Sequence, residues 1–126
     1  MEKKHILLIE NDENEVEFFT NALNESNLNF LCSTARNTEQ AVIMLKNIMP
    51  DIIFFDVDIS KIAEAVLLKK IKKIQQLRKI PVIMYSNVPH EKDKGTVHGN
   101  TTNYLHLPGS VQTMASILQH LLQFDN

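Results

Sequence analysis

At 126 residues, with 44% hydrophobic and 22% charged residues, the chain has the size and composition of one ordinary globular domain with a real hydrophobic core. A formal net charge of -2 gives no electrostatic case for nucleic acid or an anionic membrane as the main partner. Cys32 is the only cysteine, which excludes an internal disulfide and a cysteine-based metal site. No apolar run suits a signal peptide or a membrane span, so the cytoplasm is the expected location.

Strand and helix patterns alternate along the chain. Ile6 to Ile9 reads as a first strand. Asp12 is placed to cap a helix with Val16, Phe19, Ala22 and Leu23 on its apolar stripe. Asn29 to Cys32 reads as a weaker second strand, in which Cys32 is expected to be a small buried hydrophobe. Asn37 and Gln40 suit a capping-box start to a second helix that buries Ala41, Val42, Leu45 and Ile48 and is stopped by Pro50. The run Asp51-Ile-Ile-Phe-Phe-Asp56 is apolar throughout its middle, as expected of a strand buried on both faces of a parallel sheet.

A third helix is expected to carry Ala63, Leu67, Ile71 and Ile74 inward, leaving the Lys69-Lys70, Lys72-Lys73 and Arg78-Lys79 cluster as a solvated face. Pro81 opens a fourth strand, Val82 to Ser86. The rhythm then calls for a helix over Glu91 to Asn100, although Gly95, Thr96, Gly99 and Asn100 make it a poor one. Tyr104 to His106 reads as a short fifth strand. Ser110 caps a last helix with Val111, Met114, Leu118 and Leu121 inward. The five histidines show no ligand spacing and are expected at the surface or at strand ends.

Five strands alternating with helices imply an α/β fold with a parallel sheet, whose strand ends converge on one edge. There the first strand brings Glu10, Asn11 and Asp12, the third Asp56 and Asp58, and the fourth Ser86. Such an oxygen-rich cluster suits a hard cation such as Mg²⁺. A cation beside Asp56 would let a phosphoryl group approach that carboxylate, and Ser86 would donate a hydrogen bond to a phosphoryl oxygen.

These residues resemble the receiver domain of two-component response regulators, the CheY-like family. Ile6-Leu-Leu-Ile-Glu10-Asn11-Asp12-Glu13 resembles the first strand and acidic pair, and Pro50-Asp51-Ile-Ile-Phe-Phe-Asp56 the phosphoacceptor strand. Leu67-Leu68-Lys69-Lys70-Ile71 is similar to the third helix, in register with Asp56. Pro81-Val-Ile-Met-Tyr-Ser86 is similar to the fourth strand and its switch hydroxyl. Tyr104-Leu105-His106-Leu107-Pro108 is similar to the fifth strand, its aromatic switch residue and the proline after it.

The resemblance implies a flavodoxin-like, three-layer (βα)5 fold with a central five-stranded parallel sheet. It implies a single domain over residues 1–126 with no output domain, signalling by protein–protein contact and not acting as an enzyme. It implies Asp56 as phosphoacceptor, Ser86 and Tyr104 as switch residues, and a weakened Mg²⁺ site at Glu10, Asn11, Asp56 and Asp58. A histidine kinase or phosphotransfer protein and a downstream protein are the implied partners.

The departures are specific. The second acid of the pair falls on Asn11, which brings no charge; Asp12, one residue along, is expected to be a cap. The lysine before the proline is Leu107, which cannot pair with a phosphoryl group, and His106 points to the other side of its strand by alternation. Ser60 and Glu64 stand where the family has a proline and a glycine, and the fourth helix is degraded. These departures favour an alternative, a degenerate receiver that binds a partner whatever its phosphorylation. A remote alternative is a haloacid-dehalogenase-like phosphatase, from Asp56-Val57-Asp58-Ile59-Ser60; no adjacent acidic pair follows Asp58 to complete that site.

Overall fold

The computed structural model describes residues 4–56, 69–74, 79–86 and 103–122, with the backbone alone at 103 and 104. Within them five parallel strands form one sheet: β1 (Lys4–Ile9), β2 (Phe30–Ala35), β3 (Ile52–Asp56), β4 (Val82–Ser86) and β5 (Asn103–His106). Their spatial order is β2-β1-β3-β4-β5. That is the flavodoxin-like arrangement, in which the chain reverses its direction of travel across the sheet between β1 and β3.

The apolar runs explain why the sheet lies in the middle. On alternate positions, Ile6, Leu8, Ile52, Phe54, Ile83 and Tyr85 pack with Phe19, Ala22 and Leu23 of α1 (Glu13–Ser26). The same cluster takes in Met114 and Leu118 of the C-terminal helix α4 (Val111–Leu121). The intervening positions Leu7, Ile9, Ile53, Phe55 and Val82 pack with Ala41, Val42 and Leu45 of α2 (Thr38–Leu45) and Ile71 of the helical segment 69–74, α3. Burial on both faces is what a run such as Ile-Ile-Phe-Phe requires, and it gives the three layers that the sequence implies. The rings of Phe19 and Phe54 meet edge-on at a centroid distance of 4.9 Å, fixing α1 over β3.

The helix starts follow their caps. Asp12 Oδ1 accepts from the backbone N–H of Asn14 at 2.8 Å and Glu15 at 3.4 Å, and Ser110 Oγ accepts from the N–H of Thr113 at 3.1 Å. Asn37 Oδ1 accepts from the Gln40 N–H at 2.7 Å, while the Gln40 side chain reaches one residue further back than a capping box does and accepts from the Arg36 N–H at 2.6 Å. α1 ends on Asn27 in the left-handed region (φ 61), a conformation asparagine tolerates.

Three expectations need correction. The second helix stops at Leu45, well short of Pro50: its last turn tightens as the N–H groups of Lys46 and Asn47 bond back three residues to Ile43 and Met44. Ile48 therefore lies beyond the helix, although it still packs against the core cluster. The second strand is longer than expected and runs to Ala35, with Asn29 outside it, because β1 supplies ladder partners for its polar half, Ser33 and Thr34. Cys32 is half-buried rather than buried; loss of hydration pushes its thiol up to about 11.

Lys69, Lys70, Lys72, Lys73 and Lys79 are exposed, as a solvated face requires, and Ile71 is buried. His106 and His120 are exposed; His5 is half-buried, with its Nε2 2.7 Å from Ser33 Oγ. Ala63, Leu67, Arg78 and the expected helix over Glu91 to Asn100 lie outside the described residues. Among the described residues no helix is long and apolar enough to cross a membrane.

Candidate functional site

The site lies where β1 and β3 end. Ile9 pairs with Phe55, so Glu10 and Asp56, one residue further along each strand, stand side by side on the face covered by α1 and α4. Both are buried, Glu10 at 0% and Asp56 at 5% exposure. Acids are placed there because the carboxyl edge at a reversal of strand order leaves a crevice between diverging connections.

Glu10 is held from two directions. Its Oε2 accepts from the backbone N–H of Asp12 at 3.0 Å, and its Oε1 accepts from the hydroxyl of Tyr85. Tyr85 pairs with Asp56 in the β3–β4 ladder, so β3 separates it from Glu10. Two strand spacings are about 10 Å. A tyrosine and a glutamate side chain together span that distance, so the phenol reaches across the Asp56 position to close the gap.

Glu15 is the third acid. Asp12 is the N-cap, which places Glu15 at the third helical position, half-buried, with its carboxylate toward the strand ends. Oxygens of Glu10, Glu15 and Asp56 all lie within 4.8 Å of one another. Burial, then the hydrogen bond and negative charge of Glu15, raise the Glu10 carboxyl from its ordinary value of 4.5 to about 7, against the lowering effect of its Tyr85 and Asp12 donors. Burial and the charges of Glu10 and Asp56 push the Tyr85 phenol up, so it remains a neutral donor.

Sequence reasoning named Glu10 and Asp56 and missed Glu15 and Tyr85. A signal for Glu15 was present: Asp12-Glu13-Asn14-Glu15 has the spacing of a capping box, whose glutamate ordinarily turns back to the N-cap N–H. Here Glu10 takes that N–H.

The other expected site residues fall as follows. Asn11 is exposed, and the Asp12 carboxylate is occupied as the helix cap, as expected. Ser86 is buried at the end of β4, and its carbonyl accepts from the Leu107 N–H at 2.8 Å. Leu107 is itself 8% exposed and packs in the apolar cluster of Tyr85, Met114 and Leu118. Tyr104 pairs with Met84 through its β5 backbone; its side chain, together with Asp58, Ser60 and Glu64, lies outside the described residues.

A family model, the response regulator receiver domain, matches residues 6–106. The chain belongs to that family. It is a receiver domain of two-component signalling, in a family whose members are generally signalling modules and meet histidine kinases or phosphotransfer proteins. Comparison with curated proteins finds no match. Among solved structures it is similar to a two-component response regulator from Legionella pneumophila (23% identity, TM-score 0.77, 96% of this chain and 98% of that one). It is also similar to the phosphorylated cyanobacterial phytochrome response regulator RcpA (23% identity, TM-score 0.74, 98% and 94%). A third is a response regulator in its Mn²⁺-bound form (22% identity, TM-score 0.70, 96% and 93%). At these identities the likeness shows the fold.

The donor set fits the hard divalent cation that receivers generally bind through acidic residues. All three side chains offer carboxylate oxygens, the preferred ligands of Mg²⁺ and Mn²⁺. Ligands about 2.1 Å from such an ion lie at most about 4.2 Å apart, and the three oxygens lie within 4.8 Å of one another.

Proposed function

We propose that this receiver accepts a phosphoryl group on Asp56 from a histidine kinase or phosphotransfer protein and signals by contact with a downstream protein. The observation that carries the reading is the buried Asp56 carboxylate beside Glu10, at the strand-order reversal of a receiver fold. An Asp56 oxygen forms the bond to phosphorus while the bond from phosphorus to the donor's nitrogen or oxygen breaks, and the donor leaves with that electron pair. Glu10 and Asp56 would hold Mg²⁺, with Asn11 and Asp58 as further candidate ligands. A bound cation offsets the negative charge that the carboxylates present to the incoming group. Ser86 and Tyr104 are the proposed switch residues, biased by the charge the phosphoryl group adds.

The test is incubation with acetyl phosphate and Mg²⁺ followed by intact mass. One added phosphoryl group on the wild type and none on Asp56→Ala supports the reading. No adduct from acetyl phosphate or from a partner kinase overturns it.

One observation favours a second reading, an adaptor that binds its partner whatever its phosphorylation. Leu107 is built into the apolar core, so the family's lysine position supplies no ammonium to a phosphoryl group. Partner binding that survives Asp56→Ala supports this reading; binding that is lost with Asp56 contradicts it.

A further inference from the structure

We infer that Glu15, from the first turn of α1, is the acid that replaces the one missing at Asn11, and that it ligates the divalent cation together with Glu10 and Asp56. The inference rests on the reading that this receiver site takes a cation, and it concerns which residues of this chain supply the charge.

Three observations point to Glu15. The residue after Glu10 is Asn11, which carries no charge and is exposed. Asp12, the next acid along, has its carboxylate bound to the N–H groups of Asn14 and Glu15 and serves as the helix cap. Glu15 is half-buried, and its carboxylate lies within 4.8 Å of those of Glu10 and Asp56.

The fourth observation is the partner that Glu15 meets. At the third position of a helix opened by Asp12, a glutamate ordinarily accepts from the N-cap N–H. That N–H is bound to Glu10 Oε2 at 3.0 Å. The Glu15 side chain is hydrogen-bonded to the Glu10 carboxyl, which holds it toward the strand ends. An acid in the first helical turn is also stabilised by the positive end of the helix. The chain thus keeps two carboxylates besides Glu10 at the site while losing the one next to it in sequence.

The test is Mn²⁺ binding, followed by loss of the free-ion EPR signal, with competition by Mg²⁺ and with thermal melts as a folding control. Glu15→Gln is expected to weaken Mn²⁺ binding by about tenfold or more, the usual scale for losing a group that a metal site depends on. Glu17→Gln, at an exposed acid of the same helix outside the cluster, is expected to leave the affinity within about twofold. Asn11→Asp in the Glu15→Gln background is expected to recover most of the loss, by returning the charge to the adjacent position. Glu15→Gln binding as tightly as wild type, while Asp56→Asn loses the ion, overturns the role of Glu15 and leaves the cation site standing. Glu17→Gln weakening the site as much as Glu15→Gln also overturns the role of Glu15, since any nearby acid would then do. A wild-type chain that binds no Mn²⁺ or Mg²⁺ removes the underlying reading, and the proposal falls with it.

Discussion

The two halves of the sheet's carboxyl edge are built from opposite chemistry. Where β1 and β3 end, three carboxylates crowd together under α1, and Glu10 is buried with a raised affinity for protons. Where β4 and β5 end, Leu107 joins Met114 and Leu118 in the apolar core and ties its N–H to the carbonyl of Ser86. The acidic half is the proposed seat of the cation and the phosphoryl group. The apolar half has exchanged a charge-reading position for packing, so it gains stability there and gives up a direct link from β5 to the site.

The sharpest way to break this contrast is Leu107→Ala. If Leu107 is core and nothing more, the variant loses about 3 kcal/mol of stability in urea unfolding, while its Mn²⁺ affinity stays within about twofold of wild type (a 1.4 kcal/mol difference would be tenfold). A large change in metal binding would show that the two halves are coupled through β4 and β5 after all.

The next effect belongs to Glu10. Its carboxyl keeps a proton to about pH 7 in the folded chain and only to its ordinary 4.5 when unfolded. Between those values the folded state holds more protons, so the Glu10 contribution to stability falls as pH rises through the window, by about 2–3 kcal/mol in total. Glu10→Gln removes this slope, so unfolding measured at pH 5 and pH 8 should differ less in the variant than in wild type. An equal pH dependence in both would mean that Glu10 is not buried against its neighbours as described.

The smallest effect separates the two jobs of Tyr85. Its ring belongs to the apolar cluster and its hydroxyl to Glu10. Tyr85→Phe keeps the ring and takes away one donor from a buried carboxyl, a change expected to cost about 1–2 kcal/mol. No measurable cost at neutral pH would show that water or another donor replaces the phenol.

Much of this was legible in the residues. Asp12, Asn37 and Ser110 are caps whose chemistry is local, and all three act where the pattern puts them. Asp56 was legible because a continuous apolar run demands a buried strand, and the acid that ends it must sit at the edge. The second strand was under-read at Ser33 and Thr34 because an edge strand is held by its ladder with β1, which side-chain pattern does not encode. The second helix was over-read because Ile48 kept the apolar spacing after the backbone had tightened into its last turn.

Glu15 and Tyr85 escaped for a different reason. Each has an ordinary local meaning, a first-turn acid and a strand aromatic, that satisfies the pattern completely. Their second role depends on strand ends meeting at Asp56, which brings Tyr85 to Glu10 across 75 positions and Glu15 to Asp56 from another element. A one-dimensional reading has no register across strands, so the capping-box spacing could flag Glu15 only for its local role and nothing flagged Tyr85.

The phenol that reaches Glu10 also makes the site observable. The sequence has no tryptophan and only two tyrosines, Tyr85 and Tyr104. One hydroxyl is bonded to a carboxyl of the acidic cluster, and the other residue lies on β5 beside Met84. The ultraviolet emission of the unlabelled chain is therefore divided between the acidic end of the sheet and the strand that carries the proposed switch residue Tyr104, and single Tyr→Phe variants would separate the two signals without attaching any dye.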